Sequence, residues 1–279
     1  MKTILITGGA SGLGKGIALN MLKKGNRVIV LGSSPANGEI FYKEAKQLGA
    51  KERALFMQAD LTLVTENERV VEHIKEQFTT IDVLIFCATK HNRIYTETKE
   101  GFESSFALDY LSRFILSYGL KEILETSSEP MILNVGGTGM NGNVDWDDLQ
   151  HKEHYEPQKV MMHGSRLNDL SGVEFAKRDT SKKIKYILYN PWAVQTSGMK
   201  NFYKSPFMWQ LYKWIGKSVD KAADIVSELL EHPPKSQLSA YRERKILSME
   251  KKTYEKSNAD RLYDMTVRLL KDSELRILN

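Results

Sequence analysis

Short apolar runs alternate with longer segments of helical period along the chain. The apolar runs have almost no polar interruption, which is typical of strands covered on both faces. They span residues 3–8, 27–33, 53–60, 82–88, 130–136 and 184–190. Helical spacing is found in residues 14–25, 65–78, 101–125 and 164–178. This alternation predicts right-handed βαβ units and an α/β fold, a doubly wound parallel sheet with helices on both faces.

The composition fits one folded domain, which we expect to span residues 1–279. Apolar residues make up 41% of the chain and charged residues 27%, so global disorder is not expected. The lone cysteine, Cys87, fits a reducing compartment, and its place at a strand end favours a buried small side chain over a nucleophile. No apolar run approaches the roughly 20 residues of a membrane span, and the N-terminus does not resemble a signal peptide. A cytoplasmic location is therefore expected.

Part of the net charge of +5 is concentrated in residues 241–256. A basic run can bind nucleic acid or anionic lipid. Here the basic residues alternate with Glu243, Glu250 and Glu255, and no zinc-ligand spacing or nucleic-acid motif accompanies them. We therefore expect a solvated surface, with neither a nucleic-acid partner nor a metal site.

A glycine-rich turn joins the first strand to the first helix. It reads TGGASGLGKG, with glycines at Gly8, Gly12 and Gly14. Glycines let such a turn adopt backbone angles that other residues resist, and let a pyrophosphate approach the main chain. The helix that follows presents free N–H groups to the anion. Strand, turn and helix together predict a dinucleotide site in a three-layer, Rossmann-type fold, with a tight turn that binds nothing as the alternative.

Two further positions bear on the choice of dinucleotide. Asp60, in the sequence ADLT, can accept from an adenine amino group or cap the helix that follows. Ser33 ends the second apolar run, where an acidic residue would bind the ribose 2′-hydroxyl of NAD. Because that acid is missing, and Ser34 and Lys15 offer groups for a 2′-phosphate, we predict NADP(H) rather than NAD(H). Lys15 can equally be an ordinary solvated helix residue.

The motifs TGGASGLG and ADLT together resemble the short-chain dehydrogenase/reductase superfamily. Residues 143–178, 186–196 and 259–275 resemble the insertion with catalytic helix, the loop after strand six and the C-terminal helix of its retinol-dehydrogenase-like branch. The resemblance implies hydride transfer between a nicotinamide and an apolar alcohol or carbonyl compound. It also implies a homodimer, or a heteromer with a related subunit, paired through the helices at 101–125 and 164–178. The cofactor contacts that it implies are Gly8, Ser11, Gly12, Leu13, Gly14, Ser33, Asp60, Leu61, Ala88, Arg166 and Thr196.

All four side chains that this family uses for proton transfer are replaced. The tyrosine, the lysine four residues on, the serine and the asparagine correspond to Met162, Arg166, Gly137 and Asp109. A thioether has no proton to exchange and glycine has no hydroxyl. Arg166 remains cationic and Asp109 keeps oxygen acceptors, so these two are the expected catalytic positions. The glycine of the loop after strand six is replaced by Trp192.

Other ionisable side chains near the catalytic helix offer alternatives. Tyr155 and Lys159 have the i, i+4 spacing, but Pro157 between them is tolerated only in the first helical turn. Tyr155 would then precede the helix and not share a face with Lys159. His163 is ionisable near neutrality, but its place beside Met162 rotates it about a third of a turn away. We expect His163 on the helix surface or in the core.

Three functions remain open from the sequence. The first is an NADP(H)-dependent oxidoreductase with an atypical proton donor, or with a proton from solvent or substrate. The second is a cofactor-binding sensor, scaffold or partner protein without turnover, which the loss of two hydroxyl donors favours. The third is a reductase of an activated C=C or C=N bond, in which Arg166 or Asp109 steadies charge. Residues 202–216, rich in aromatic residues, are expected to form a lid over an apolar pocket, with core or subunit packing as the alternative.

Overall fold

An eight-stranded sheet forms the centre of the computed structural model, which describes residues 1–202 and 205–272. Its strands run in the order β3-β2-β1-β4-β5-β6-β7-β8, parallel except for β8. The chain returns to the middle of the sheet between β3 and β4, which confirms the doubly wound α/β fold. The strands are β1 Thr3–Thr7, β2 Arg27–Gly32, β3 Ala54–Gln58, β4 Val83–Phe86, β5 Met131–Val135, β6 Lys185–Asn190, β7 Leu238–Arg242 and β8 Lys245–Ile246.

Helices follow nearly every strand. A π-helical turn spans Ala107–Leu111, and short 3-10 turns span Lys51–Arg53 and Lys252–Tyr254. Among the described residues, no helix combines the length and apolar character that a bilayer span requires. The helices are α1 Gly12–Lys23, α2 Pro35–Gln47, α3 Val64–Gln77, α4 Ser104–Phe106, α5 Ser112–Gly119, α6 Lys121–Glu125, α7 Pro157–Arg178, α8 Ser197–Phe202, α9 Pro206–Ile215, α10 Val219–Glu231 and α11 Lys256–Asp272.

The central strands send alternate side chains into two separate cores. Ile4 and Ile6 of β1 pack in a core with Ile17 of α1, whereas Leu5 packs in a core with Val70 of α3. Successive strand residues point to opposite faces, so an unbroken apolar run fills both cores. Helices α1, α2 and α10 cover one face, and α3, α5, α7 and α11 cover the other.

The structure changes several predicted boundaries. All six predicted strands are present, but β3 ends at Gln58, and β7 and β8 were not predicted. The predicted helix 101–125 is broken into α4, the π turn, α5 and α6. The predicted helix 164–178 begins earlier, at Pro157, in the first turn that proline tolerates. Gly25 directly follows the last turn of α1 with a φ of 83°, as a helix-ending glycine does.

The C-terminal helix α11 covers the outer face of α5 and α7. The hydroxyl oxygens of Tyr110 and Thr266 are 2.6 Å apart. The ring of Tyr263 lies 5.7 Å from the ring of Phe114 and beneath the guanidinium of Arg178, 3.7 Å from the ring centroid. This cover opposes the expected pairing of two copies through these helices, which stays a prediction.

Candidate functional site

The glycine-rich turn lies where the strand order changes direction, between β2 and β4. Gly8 has a φ of 65° and donates its N–H to the carbonyl of Leu31 at 2.8 Å. A Cβ on Gly8 would lie 2.8 Å from the backbone of Ala88, and a Cβ on Gly14 would lie 2.4 Å from the carbonyl oxygen of Gly8. Real Cβ atoms do not approach backbone so closely, and the φ of Gly8 is unfavourable for other residues. Both glycines are therefore required for the close packing of this turn.

The first turn of α1 opens toward the loop after β6. Gly12 begins the helix with a φ of 52°, and the exposed Ser11 before it makes no capping hydrogen bond through its side chain. The methyl group of Thr196 lies 3.6 Å from the position of a Cβ on Gly12. Thr196 and the start of α1, with Leu13 in its first turn, are thus neighbours, as the site prediction requires. Uncapped N–H groups at such a helix end attract anions.

Asp60 closes a turn after β3. Its carboxylate is exposed and accepts from the Thr62 amide at 3.1 Å and from the Thr62 hydroxyl at 2.7 Å. The residue that precedes α3 is Leu63, so the interpretation of Asp60 as a helix cap is wrong. The side chain of Leu61 lies in the core, which leaves only its backbone for a ligand. The expected adenine contact of Asp60 stays a prediction.

The side chains expected to select NADP(H) differ in whether other protein groups already bind them. Ser33 is exposed just beyond β2. Ser34 caps α2, and its hydroxyl oxygen accepts from the Asn37 amide at 3.3 Å. The ammonium of Lys15 lies 2.6 Å from the carboxylate of Glu44, and both side chains are half-buried. Lys15 is therefore an ion-pair partner of α2 rather than a free solvated residue.

Tyr155 and Lys159 do not form a catalytic pair. Glu156 caps α7, so Tyr155 precedes the helix, as the position of the proline predicts. The phenol of Tyr155 donates to the carbonyl of Asn92 at 3.3 Å, and burial raises its pKa. Lys159 is 69% exposed and pairs with Glu156 at 2.5 Å. The two side chains point to different surroundings.

Arg166, at the lysine position, is held inside the fold. Its guanidinium lies 2.7 Å from the carboxylate of Asp169, and both side chains are at most 2% exposed. It also donates to the carbonyl of Gly137 at 2.9 Å and to the hydroxyl of Thr253. Asp169 accepts from Thr253 at 2.8 Å and from the amide of Gly139 at 3.3 Å. The expected contact of Arg166 with a cofactor ribose stays a prediction, and this buried pairing opposes it.

The serine and tyrosine positions offer no hydroxyl of their own. A Cβ on Gly137 would lie 2.5 Å from the hydroxyl oxygen of Ser165 on α7, so this hydroxyl would have to turn away from any side chain there. The Ser165 hydroxyl donates to the carbonyl of Met161 at 3.0 Å. Met162 is half-buried. Neither residue 137 nor residue 162 therefore has a side-chain group that could donate a proton to a substrate oxygen.

Asp109 lies in the π-helical turn, at the asparagine position. Its carboxylate accepts from the hydroxyl of Thr89 at 3.1 Å and from the amide of Lys90 at 3.3 Å. Its main-chain carbonyl accepts from the side-chain amide of Asn168 at 2.7 Å. Burial raises the pKa of the Asp109 carboxyl, and the positive charge of Arg113 opposes this shift. Asp109 is therefore an immobilised carboxyl at the carboxyl end of the sheet, where ligands bind in this fold.

Arg113 is a site residue that the sequence reading missed. It is buried and donates to the side-chain oxygen of Asn134, to the carbonyl of Val135 at 2.7 Å and to the carbonyl of Ala88 at 2.9 Å. It thereby joins the ends of β4 and β5. The sequence feature that could have identified Arg113 is its positive charge four residues after Asp109, inside an otherwise apolar helical stretch.

His163 and Cys87 are core residues, as expected. The rings of His163 and His151 are both buried, 4.5 Å apart and nearly perpendicular. Burial, together with His151, lowers the pKa of His163 to about 4. His151 lies in the turn after Asp148 and packs inside. Burial raises the pKa of the Cys87 thiol to about 12, so its reactive thiolate form is suppressed.

Trp192 has a backbone conformation that glycine adopts easily and other residues resist. Its φ is 60°, and its amide donates to the side-chain oxygen of Asn190 at 2.8 Å. A bulky residue rarely adopts this conformation. The ring is 48% exposed and lies against the guanidinium of Arg242, 4.9 Å away, on the β7 side of β6. The ring is thus held away from β1 and β4.

The predicted lid corresponds to the end of α8 and to α9. Residues 203 and 204 of this segment lie outside the described residues. Helix α9 contains no buried residue, so the interpretation of this segment as core packing is wrong. A role as a lid or as a partner surface stays a prediction.

Comparisons with known proteins agree with this architecture. The sequence profile described as short chain dehydrogenase matches residues 2–148. Retinol dehydrogenase 12 of Mus musculus is 24% identical over 272 residues, which cover 96% of this chain and 86% of that protein. The 3-ketoacyl-(acyl-carrier-protein) reductase from Brucella melitensis complexed with NADH has a TM-score of 0.66 at 20% identity. The match covers 86% of this chain and 96% of the reductase chain. RhlG of Pseudomonas aeruginosa, in its NADP active-site complex, has a TM-score of 0.66 at 16% identity. The match covers 86% of this chain and 94% of the RhlG chain. At these identities the two structures show a shared fold alone.

Proposed function

The chain belongs to the short-chain dehydrogenase family, and from that premise we propose that it is an oxidoreductase that binds NADP(H) in preference to NAD(H) and acts on an apolar alcohol or carbonyl compound. The observation that carries the proposal is the packing of Gly8 and Gly14, which leaves backbone and not side chains at the start of α1. Such a surface admits a pyrophosphate.

Each part of the site has an assigned role in this proposal. The amides that follow Ser11 hold the pyrophosphate, Thr196 closes the opposite side of the groove, and Asp60 receives the adenine amino group. The bound dinucleotide supplies or accepts the hydride. Ser33 leaves room for a 2′-phosphate, since no carboxylate stands at the end of β2 to repel it. A phosphate that also reached Lys15 would compete with Glu44 for its ammonium.

Proton transfer differs most from the family pattern. Met162 cannot exchange a proton, and Arg166 is bound to Asp169. We assign the role of proton donor to Asp109 or to solvent. The Asp109 carboxyl is held by hydrogen bonds from Thr89 and Lys90, and its pKa is raised. A carboxyl with a raised pKa holds its proton closer to neutral pH, where it can serve as an acid. Turnover should be slower than with a phenol and lysine pair.

A second function is favoured by the same buried ion pair. If Arg166 and Asp169 only stabilise the fold, the protein binds a dinucleotide without turnover and acts as a sensor, scaffold or partner subunit. The two functions share the cofactor site and differ only in hydride transfer.

Dinucleotide titration followed by single turnover separates these functions. NADPH and NADH are titrated by calorimetry, and the loaded protein is then mixed with apolar aldehydes and ketones, including retinal because of the similarity to a retinol dehydrogenase. Ser11→Asp should weaken dinucleotide binding about tenfold or more, because the carboxylate repels the pyrophosphate, whereas aspartate itself is well tolerated at the start of a helix. Ser205→Asp, at the cap of α9, is the matched control. Binding without oxidation of NADPH selects the second function, and absence of binding contradicts both.

A further inference from the structure

Among the described residues, helix α9 is attached to the loop after β6 through the face that carries Tyr212. The phenol of Tyr212 accepts from the amide of Val194 at 3.0 Å and donates to its carbonyl at 3.1 Å. The side-chain amide of Gln195 donates to the carbonyl of Lys213 at 2.9 Å and to that of Gly216 at 2.7 Å. These bonds fix the orientation of α9 on the loop after β6.

The opposite face of α9, the outer face, is apolar and exposed. It consists of Phe207, Leu211 and Trp214, which are 75%, 47% and 85% exposed, whereas Met208 and Ile215, which are 43% and 53% exposed, lie at its border toward Tyr212. Phe207, Leu211 and Trp214 follow the i, i+4, i+7 spacing that places them on one side of a helix. A contiguous exposed patch of this kind marks an interaction site rather than ordinary surface.

The chain segment that contains the outer face has no acidic residue. Residues 191–219 contain no aspartate or glutamate. Lys213 on α9 and Lys200 on α8 are exposed, whereas Lys217 pairs with Glu243. A helix with Trp, Phe and Leu on one face and lysine at its border inserts its apolar side into a bilayer interface and attracts anionic headgroups. We infer that the outer face of α9 binds the surface of an anionic phospholipid bilayer.

Two other occupants fit the structure less well. A symmetric contact between two copies would bring Lys213 of each close to Lys213 of the other, and like charges repel. Closure of α9 over its own groove would require the outer face to turn inward, which would break the bonds between Tyr212 and Val194. Lipid satisfies both the apolar and the charged parts without rearrangement.

The position of α9 gives this contact a consequence. Helix α9 follows Thr196, which borders the glycine-rich turn. A substrate dissolved in the bilayer would then reach the site directly from the lipid. This consequence rests on the proposed function, whereas lipid binding itself does not.

Vesicle flotation with the full chain tests the inference. We expect the protein to float with phosphatidylcholine vesicles that contain phosphatidylserine, and less with phosphatidylcholine alone. The double variant Phe207→Gln/Trp214→Gln should bind about tenfold more weakly or worse, because two exposed aromatic side chains no longer enter the interface. Ile40→Gln, which changes an exposed apolar residue of α2, is the matched control. All these side chains are exposed, so urea unfolding of the variants should match that of the unmodified protein.

Several results would overturn the inference. They are absence of flotation with phosphatidylserine vesicles, equal binding to neutral vesicles, or unchanged binding of the double variant. Sedimentation without lipid provides a further test, since a dimer that the double variant abolishes would make the outer face a contact between copies. Quenching of tryptophan fluorescence by brominated lipid gives an independent measurement, which should be largely lost in the double variant. Quenching that persists at full strength would place the contact elsewhere.

Discussion

Replacing Arg166 by methionine separates a structural from a cofactor-binding role for this side chain. Methionine keeps much of the aliphatic stem but removes the cation from a pair in which both partners are at most 2% exposed. The Asp169 carboxylate then keeps its hydrogen bonds from Thr253, Thr138 and the amide of Gly139 but loses the cation that faces it. An unpaired charge would therefore remain in the interior of the protein.

The expected loss of stability is large. Breaking a buried ion pair from one side costs about 3–5 kcal/mol, because the remaining charge is left without compensation. Whole proteins are stable by about 5–15 kcal/mol, so this single change removes a substantial part of the total. Equilibrium unfolding in urea at pH 7, followed by far-ultraviolet circular dichroism, measures the difference.

Two controls come from the same helix. Lys159→Met removes an exposed pair with Glu156 on α7, and should cost about 0–1 kcal/mol. The double variant Arg166→Met/Asp169→Leu removes both charges, and should recover most of the stability that the single variant loses.

Dinucleotide titration of the single variant decides between the two roles. If Arg166 is structural, the folded fraction of Arg166→Met binds NADPH nearly as tightly as the unmodified protein. A stability change below about 1 kcal/mol together with a marked loss of affinity would refute the reasoning, since an exposed and ligand-directed side chain behaves in that way.

Three more predictions follow from the structure. Ser33→Asp should shift binding from NADPH toward NADH by about tenfold or more in calorimetric titration, because a carboxylate repels the 2′-phosphate and accepts from a ribose hydroxyl; unchanged preference would place the 2′-group elsewhere. His163 has an unfolded pKa near 6.5 and a folded pKa of about 4, so it contributes stability above pH 6.5 that is lost as the pH falls toward 4. Relative to His163→Leu, the unmodified protein should therefore lose about 3 kcal/mol of unfolding free energy in urea between pH 7 and pH 4, and a constant difference would contradict a neutral buried ring. Because α11 covers α5 and α7, we expect sedimentation to show no dimer that is paired through these two helices. A dimer that is lost when surface residues of α5 or α7 are substituted would show that α11 moves away.

The six predicted strands and the glycine turn depend on local properties of the chain. An unbroken apolar run such as residues 27–33 has few alternatives to a strand covered on both faces. The turn at Gly8 needs a positive φ, which a glycine signals at its own position. The separation of Tyr155 from Lys159 also followed from one residue, Pro157, although the helix itself was predicted to start later, at residue 164.

The strands β7 and β8 and the break in helix 101–125 were missed for the opposite reason. Residues 238–242 include a serine and an arginine and lack the continuous apolar pattern of the other strands. They form a strand because β6 provides a parallel partner. The π turn at Asp109 places the Asp109 carbonyl against the side chain of Asn168, a residue of a different helix.

The replacement of all four proton-transfer residues is predicted from the sequence alone, because the chemistry of each side chain follows from its residue type. What Arg166 does instead depends on Thr253, which is 87 positions away along the chain. Asp169 lies only three positions away, but its burial depends on how the segments around Gly139 and Thr253 fold over α7. The sequence by itself thus determined the sheet and the glycine-rich turn, and it predicts the loss of the phenol. Only the tertiary structure decided that the remaining cation is an internal ion pair, since burial and pairing arise from contacts between distant segments.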